Sequence, residues 1–284
     1  MALILKGAPV AAALDEKTAA GAAVLRARGV TPTLAVLRVG EREDDLSYER
    51  AAIKRCGKVG VAVKNVVLPA GVDSGTFFQT LESLNRDPAI HGILLLRPLP
   101  KQLDEEAARE ALRPEKDVDG CTDASLAGVF TGSAFGFPPC TARAVMEILR
   151  YYGIEMKGKK TVIIGRSLVI GRPMAMLLLH ADATVTLCHS RTEDLPALTR
   201  EADIVVAASG RAESIGADCL RPGQTVIDVG CSWSEEKQKL CGDVCFEQAE
   251  PLVGAITPVP GGVGGVTTSV LAGHVVEAAR RAAL

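Results

Sequence analysis

Residues 158–173, GKKTVIIGRSLVIGRP, decide how the rest of the chain is read. Positions 161–164 are a short, β-branched apolar run of the kind that fills a strand buried on both faces. The run stops at Gly165. A turn through Arg166 and Ser167 leads to Gly171 and then Pro173, a favourable first-turn residue for the helical pattern that continues over 174–180. A strand, a small-residue turn and a helix N-terminus together make an anion site, because backbone N–H groups and the helix dipole both face a phosphate. The spacing is GxSxxxG: Ser167 replaces the second glycine of the common dinucleotide fingerprint, and the last glycine comes one position late.

The next strand, 183–188, runs into His189, Ser190, Arg191 and Thr192. It lies about twenty residues past Gly165, where dinucleotide-binding folds place the group that reads the ribose. An acid there would bind the free 2′-hydroxyl of NAD. This chain offers Ser190 and Arg191, with Arg166 nearby in the first turn. Two guanidiniums and a hydroxyl suit a 2′-phosphate, which predicts NADP.

The 284 residues suggest about two domains, and 48% apolar content supplies their cores. A net charge of −2 points to neither nucleic acid nor membrane as a partner. The opening MALILKGAPV lacks the basic segment and length of a signal peptide, and no apolar span reaches membrane-crossing length, so a cytoplasmic protein is expected. The eight cysteines are scattered without a CxxC pair and the four histidines lie far apart. That pattern predicts no metal site, with the cysteines acting as small buried hydrophobes in a reducing compartment.

Taken in order, the pattern predicts a helix over 9–28, a strand over 33–39, a charged loop over 40–45, a helix over 46–56 and a strand over 61–68. A helix over 73–85, a strand over 90–96 and a short helix over 104–112 follow. Residues 115–139 read as irregular and carry Asp117-Val118-Asp119-Gly120. Thr141 can cap a helix to Tyr152 that joins two domains. Strands over 161–164, 184–188, 204–207, 225–229 and 255–257 come next, then the glycine-rich loop TPVPGGVGG at 257–265. A last helix over 269–283 is expected to return to the first domain. Such alternation marks parallel sheets with crossover helices. The fold class is α/β with two domains: an N-terminal three-layer α/β domain over 1–140 plus 269–284, and a Rossmann-like domain over 141–268.

Several short motifs now combine: Lys6-Gly7, Val39-Gly40, Ser47-Tyr48 with Cys56 eight positions on, Pro98-Leu99-Pro100, KDVDG at 116–120 and PCT at 139–141. GRSxxxGxP at 165–173, CHSRT at 188–192, DVG at 228–230, GDV at 242–244 and TPVPGGVG at 257–264 complete the set. Together they resemble the methylenetetrahydrofolate dehydrogenase/cyclohydrolase family of FolD-type bifunctional enzymes, from end to end. The resemblance implies a homodimer whose subunits hold NADP on the second domain and a tetrahydrofolate substrate on the first. It implies hydride transfer from 5,10-methylenetetrahydrofolate to NADP⁺, then hydrolysis of the methenyl cation to 10-formyltetrahydrofolate. It also implies that Tyr48, Leu96, Pro98, Leu99, Asp119, Pro260, Gly261 and Gly262 face the folate. Thr141, Gly165, Arg166, Ser167, Gly171, Pro173, His189, Ser190, Arg191, Ser209, Gly210, Asp228 and Gly230 would face the cofactor.

Two departures bear on the chemistry. Hydride removal needs aim and a cofactor, whereas ring opening needs a poised acid/base. In the family this is a lysine four residues after the tyrosine, one helical turn on. That position here is Ala52, and Leu96 stands where the family carries a glutamine. Arg55, on the tyrosine's face, and Arg97 are the candidate substitutes, although arginine stays protonated at neutral pH. The sequence therefore predicts catalytic Tyr48 and Asp119, a competent dehydrogenase and a weak cyclohydrolase. The alternative is a non-catalytic folate- or nucleotide-binding pseudoenzyme.

Overall fold

The computed structural model of the chain describes residues 1–235 and 237–283; Leu284, where the expected first domain ends, lies outside them. The chain opens with β1 (Leu3–Ile4) and α1 (Gly7–Ala27) and divides into two compact units. One contains Ala12–Cys140 and the chain from Thr268 onward; the other contains Met1–Ala11 and Thr141–Thr267.

The first unit is built on β2 (Thr33–Val39), β3 (Ala62–Leu68) and β4 (Gly92–Leu95), a parallel sheet in the order β3-β2-β4 among the described residues. Central β2 is buried from Leu34 to Val39, as its unbroken apolar run requires apart from Arg38. α2 (Glu43–Val59) stops where Gly60 turns left-handed, at φ 78°. α3 (Ser74–Arg86) and α4 (Glu105–Ala111) are N-capped by Asp73 and Asp104, whose carboxylates accept from the N–H groups of Thr76 and Ala107. Leu37, Phe77, Leu81, Ile93 and Leu95 form the centre of this unit's core. The stretch expected to be irregular holds α5 (Asp123–Thr131), capped by Thr122 and ended by Gly132. Gly128 sits inside that helix because the Phe135 carbonyl passes where a Cβ would stand.

In the second unit, α6 (Cys140–Tyr151) leads to β5 (Lys160–Ile164), α7 (Gly171–Leu179), β6 (Thr184–Cys188), α8 (Leu195–Glu201), β7 (Ile204–Ala207) and β8 (Thr225–Asp228). The hairpin of β9 (Ser232–Ser234) and β10 (Lys239–Cys241), α9 (Phe246–Ala249), β11 (Ala255–Ile256) and the start of α10 (Gly264–Ala282) follow. Among the described residues the parallel sheet has six strands in the order β1-β11-β8-β7-β5-β6. The chain leaves β5 toward β6 on one side and later returns to β7 on the other, so the carboxyl end of β5 is the switch point where such sheets bind ligands.

The first eleven residues depart from the expected boundary. β1 pairs in parallel with β11, and Ala2 lies in the second unit's core. A two-residue strand is too short to show any period, so the sequence pattern could not assign it. Gly7 donates to the Gly261 carbonyl (2.8 Å), and a Cβ at Gly7 would stand 2.1 Å from the Gly262 carbonyl oxygen.

In the first unit, α10 is tied to α1 and α2 through one buried carboxylate. Asp15 receives Ser269 Oγ (2.8 Å), Arg55 Nη1 (2.6 Å) and Lys58 Nζ (2.9 Å). Burial opposes ionisation, but Lys58, Ser269 and Arg55 outweigh it and hold the carboxyl below its ordinary 3.8. Removing one member of a buried network leaves its partners unpaired. Asp15→Asn is expected to cost about 2 kcal/mol at neutral pH in urea denaturation. A carboxyl with a depressed folded pKa contributes above its unfolded pKa and stops contributing as pH falls through the folded one. The gap between wild type and variant should therefore close as pH drops below 3.8.

Candidate active site

On the first unit, a pocket of about 230 Å³ opens beside the first turns of α2 and the carboxyl end of β4. Its lining is Asp44, Asp45, Tyr48, Leu94, Leu95, Leu96, Arg97 and Asp119. Three acids in the first turn of α2 favour that helix end. Asp45, Tyr48, Glu49 and Ala52 follow at helical spacing along one face. Glu49 is fully engaged, accepting from Arg38 Nε (2.7 Å) and from Asn65 Nδ2 (3.3 Å).

The KDVDG stretch divides its labour. Asp117 is wholly buried and its carboxylate accepts from the N–H groups of Cys121 (3.0 Å) and Thr122 (2.8 Å), so it builds the turn. Asp119 is left to face the pocket. Burial pushes its carboxyl up to about 6; Asp117 adds to the rise, while Arg97 and a hydrogen bond from Cys140 oppose it. Behind it, Cys140 Sγ donates to the Val118 carbonyl (3.3 Å), as does His274 Nδ1 (2.8 Å).

Tyr48, Leu96, Arg97 and Asp119 are thus brought together, and the rest of the expected folate set is placed elsewhere. Ala52 is fully buried and puts only a methyl group at the lysine position. Arg55 is not at the pocket: two turns past Tyr48 it is about 10 Å further along the helix, bound to Asp15 and Thr268 Oγ1 (3.3 Å). Pro98 is exposed, with its carbonyl accepting from Arg42 (3.0 Å), and Leu99 packs against the core of the unit. Neither lines the pocket. Pro260, Gly261 and Gly262 belong to the second unit, where Gly261 (φ 104°) makes the turn that receives Gly7.

The second unit carries a pocket of about 430 Å³ across the carboxyl ends of β5, β6 and β7. Gly165, Arg166, Ser167, His189, Ser190 and Ser209 line it, as the sequence predicts, together with Ala208, Arg211, Ser214 and Ile215. Gly165 (φ 124°) runs so close to β7 that a Cβ would stand 2.0 Å from the Ala208 carbonyl oxygen. A Cβ on Gly171 would stand 2.0 Å from the Gly165 carbonyl oxygen, which fixes the start of α7 against the turn. Ser167 Oγ accepts from the Ile170 N–H (3.3 Å), and no side chain caps α7. An uncapped helix start, two guanidiniums and four serine hydroxyls fit the phosphates of a dinucleotide.

Of the remaining cofactor candidates, Gly171 and Pro173 are buried in the first turn of α7 and support the pocket from behind. Thr141 lies in α6 and the Arg191 side chain is exposed; neither lines the pocket. The Arg191 N–H donates to His189 Nδ1 (3.1 Å) and closes the turn. Asp228 is structural in its contacts: its carboxylate accepts from the N–H groups of Gly230 (2.9 Å), Asp243 (3.0 Å) and Val244 (2.9 Å). Burial pushes it up to about 6. Gly230 is buried because a Cβ there would meet the Asp243 carboxylate. Sequence reasoning missed Asp243, whose carboxylate accepts from the N–H groups of Ser209 and Gly210 and shapes the turn at the pocket. It also missed Arg211, which follows the Ser209-Gly210 turn, and Asp45, one turn before Tyr48. Among the described residues no group of His, Cys, Asp and Glu could hold a metal, and no helix is long and apolar enough to cross a membrane.

Comparison with known proteins covers both units. The chain matches the "Tetrahydrofolate dehydrogenase/cyclohydrolase, catalytic domain" profile over residues 5–119 and the "Tetrahydrofolate dehydrogenase/cyclohydrolase, NAD(P)-binding domain" profile over 139–283. It is 47% identical to the bifunctional protein FolD of Alkaliphilus oremlandii over 280 residues, covering 99% of this chain and 98% of that protein. To the FolD protein of Carboxydothermus hydrogenoformans it is 49% identical, over 98% of this chain and 97% of the relative. Among solved structures, Campylobacter jejuni FolD superposes with a TM-score of 0.96 at 35% identity, over 99% of each chain. Trypanosoma brucei FolD, solved with NADP cofactor and inhibitor, superposes with a TM-score of 0.92 at 36% identity, over 99% of this chain and 98% of that one.

Proposed function

The chain belongs to the tetrahydrofolate dehydrogenase/cyclohydrolase family, and from that premise we propose that it is an NADP-linked 5,10-methylenetetrahydrofolate dehydrogenase with a weak cyclohydrolase step. The observation that carries this reading is an asymmetry on α2. Tyr48 and Asp119 line a pocket, yet the helix position that should supply a proton carrier is the buried methyl of Ala52.

In this reading Asp119 accepts N–H groups of the pterin and Tyr48 orders the ring by its aromatic face or hydroxyl. The Leu94–Leu96 wall keeps water from the one-carbon bridge. Arg166, Ser167 and Ser190 hold the cofactor's phosphates, Arg211 adds a second guanidinium, and Asp243 sets the turn beneath. When bound, NADP⁺ supplies the hydride acceptor. Removing a hydride moves no proton, so the step depends on orientation and needs no acid or base from the protein. Opening the ring requires a proton delivered to a nitrogen; Arg97, always protonated, serves neither as base nor as poised acid.

Supplying 5,10-methylenetetrahydrofolate and NADP⁺ should make NADPH appear while methenyltetrahydrofolate accumulates, with NADP⁺ used in preference to NAD⁺. Enzymatic hydrolysis of methenyltetrahydrofolate far above the spontaneous rate, abolished by Tyr48→Phe, would refute the weak-cyclohydrolase reading. No NADPH formation at all would favour the pseudoenzyme.

Acid should weaken the folate site. The Asp119 carboxylate is ionised only above about 6, so the folate KM should climb as pH falls through that value. In Asp119→Asn the KM should be high and flat across the same range.

The proposed setting is the cytoplasm, where scattered cysteines persist as thiols. The proposed assembly is a homodimer. The outer strand β6 offers a row of backbone donors and acceptors beside exposed Leu187, a surface that a second copy could pair with. Sedimentation equilibrium should return twice the 29.7 kDa chain mass.

A further inference from the structure

The proposed reaction places a positive charge on a folate that is neutral at its one-carbon bridge, and the first unit's pocket holds a largely buried carboxylate with only one long ion pair to the scaffold. Asp45 is 6% exposed and lines the pocket one helical turn before Tyr48, on the same face of α2. Its Oδ2 lies 4.0 Å from Arg42 Nε, and among the described residues nothing hydrogen-bonds to its carboxylate. The neighbouring acids differ. Glu49 is saturated by Arg38 and Asn65, Asp117 by two backbone N–H groups, and Asp44 is open to water. A largely buried carboxylate whose nearest cation stands 4.0 Å away is only partly compensated. A ligand of opposite charge would complete the compensation.

We propose that Asp45 is the counter-charge for the methenyl cation, a catalytic residue of the dehydrogenase step. This rests on the folate reading above. In that step the bridge carbon gives up hydrogen with both bonding electrons to the nicotinamide ring. NADP⁺ becomes NADPH, and the carbon shares its positive charge with the two flanking nitrogens. No proton moves and Asp45 forms no bond. Because the charge is absent from the substrate and develops in the transition state, a fixed carboxylate beside it favours the transition state and product over the ground state. It also gives the pocket a reason to hold the cation rather than open it.

The charged surroundings are compatible. Burial holds the Asp45 carboxyl above its ordinary 3.8, Asp44 and Glu49 push the same way, and Arg42 and Arg38 oppose them. Across the pocket stand Arg97 and Asp119. Protonation of Asp45 removes the counter-charge, so preference for the cation should fade on acidification.

The test needs no cofactor. Cofactor-free protein is titrated at neutral pH with 5,10-methenyltetrahydrofolate, a cation, and with tetrahydrofolate, which is neutral at the same atoms. Asp45→Asn and Asp45→Ser should each weaken methenyltetrahydrofolate binding on the order of tenfold, about 1.4 kcal/mol, and leave tetrahydrofolate within about twofold. Both variants should stay folded and melt close to the wild-type temperature, since the carboxylate they replace makes only a 4.0 Å ion pair to Arg42. Asp45→Glu, which keeps the charge, should recover part of the preference. Equal losses for both ligands, or no loss for either, overturn the inference alone. So do variants that bind the cation normally but hydrolyse it more slowly, which would make Asp45 a base. Wild-type protein that binds neither folate overturns this inference and the functional reading together.

Discussion

At Gly165 and Gly171 the cofactor unit is held together by backbone lying directly on backbone. A side chain at Gly165 would collide with the Ala208 carbonyl, and one at Gly171 with the carbonyl of Gly165 itself. Only hydrogen fits at either place, so β5, β7 and the start of α7 converge more tightly than side chains would permit. In the turn between them Ile170 is buried, whereas Arg166 and Ser167 line the pocket. The same device recurs at Gly7 against Gly262, anchoring the chain's first residues to the glycine loop. The sites are therefore surfaces that close backbone packing leaves open.

The other unit is governed by where its buried charges find partners. Arg38 with Glu49, and Asp15 with Arg55 and Lys58, are matched pairs that fasten strand to helix and helix to helix. Such pairs contribute specificity of arrangement more than net stability. They also consume the nearby cations: Arg55, on paper a stand-in for the missing lysine, is committed to Asp15 and Thr268. What faces the pocket is a tyrosine, the guanidinium of Arg97, itself paired with Glu105 at 3.5 Å, and the carboxylates of Asp44, Asp45 and Asp119. Chemistry at this site is constrained by what the framework had already claimed.

Much of this could be read in the residues. The long elements, β2, β6 and β7 above all, fall where β-branched periodicity puts them. The turn at 165–167 and the end of β6 at His189 and Ser190 line one pocket. Losses came where local pattern carries little information. β1 exists only through its pairing with β11, and α5 lies in a glycine- and proline-rich stretch whose glycine is dictated by a passing carbonyl. Helical spacing put Arg55 on the face of Tyr48, but the wheel ignores distance along the axis. Asp45 went unnoticed because it ends a charged run that reads as solvated, and Asp243 because the GDV motif carries no sign of its burial. Arg191 lies in the same segment with its side chain exposed and does not line the pocket.

The boundaries between the units fall after Ala11, Cys140 and Thr267, each inside a helix or at its first residue. Neither unit is a continuous length of polypeptide. A single cut could release neither intact: severing near 140 deprives one half of its closing helix and the other of its first edge strand. Inheritance by simple fusion of two ready-made modules is correspondingly hard to arrange, and exchange of one half between relatives would have to carry three crossovers at once.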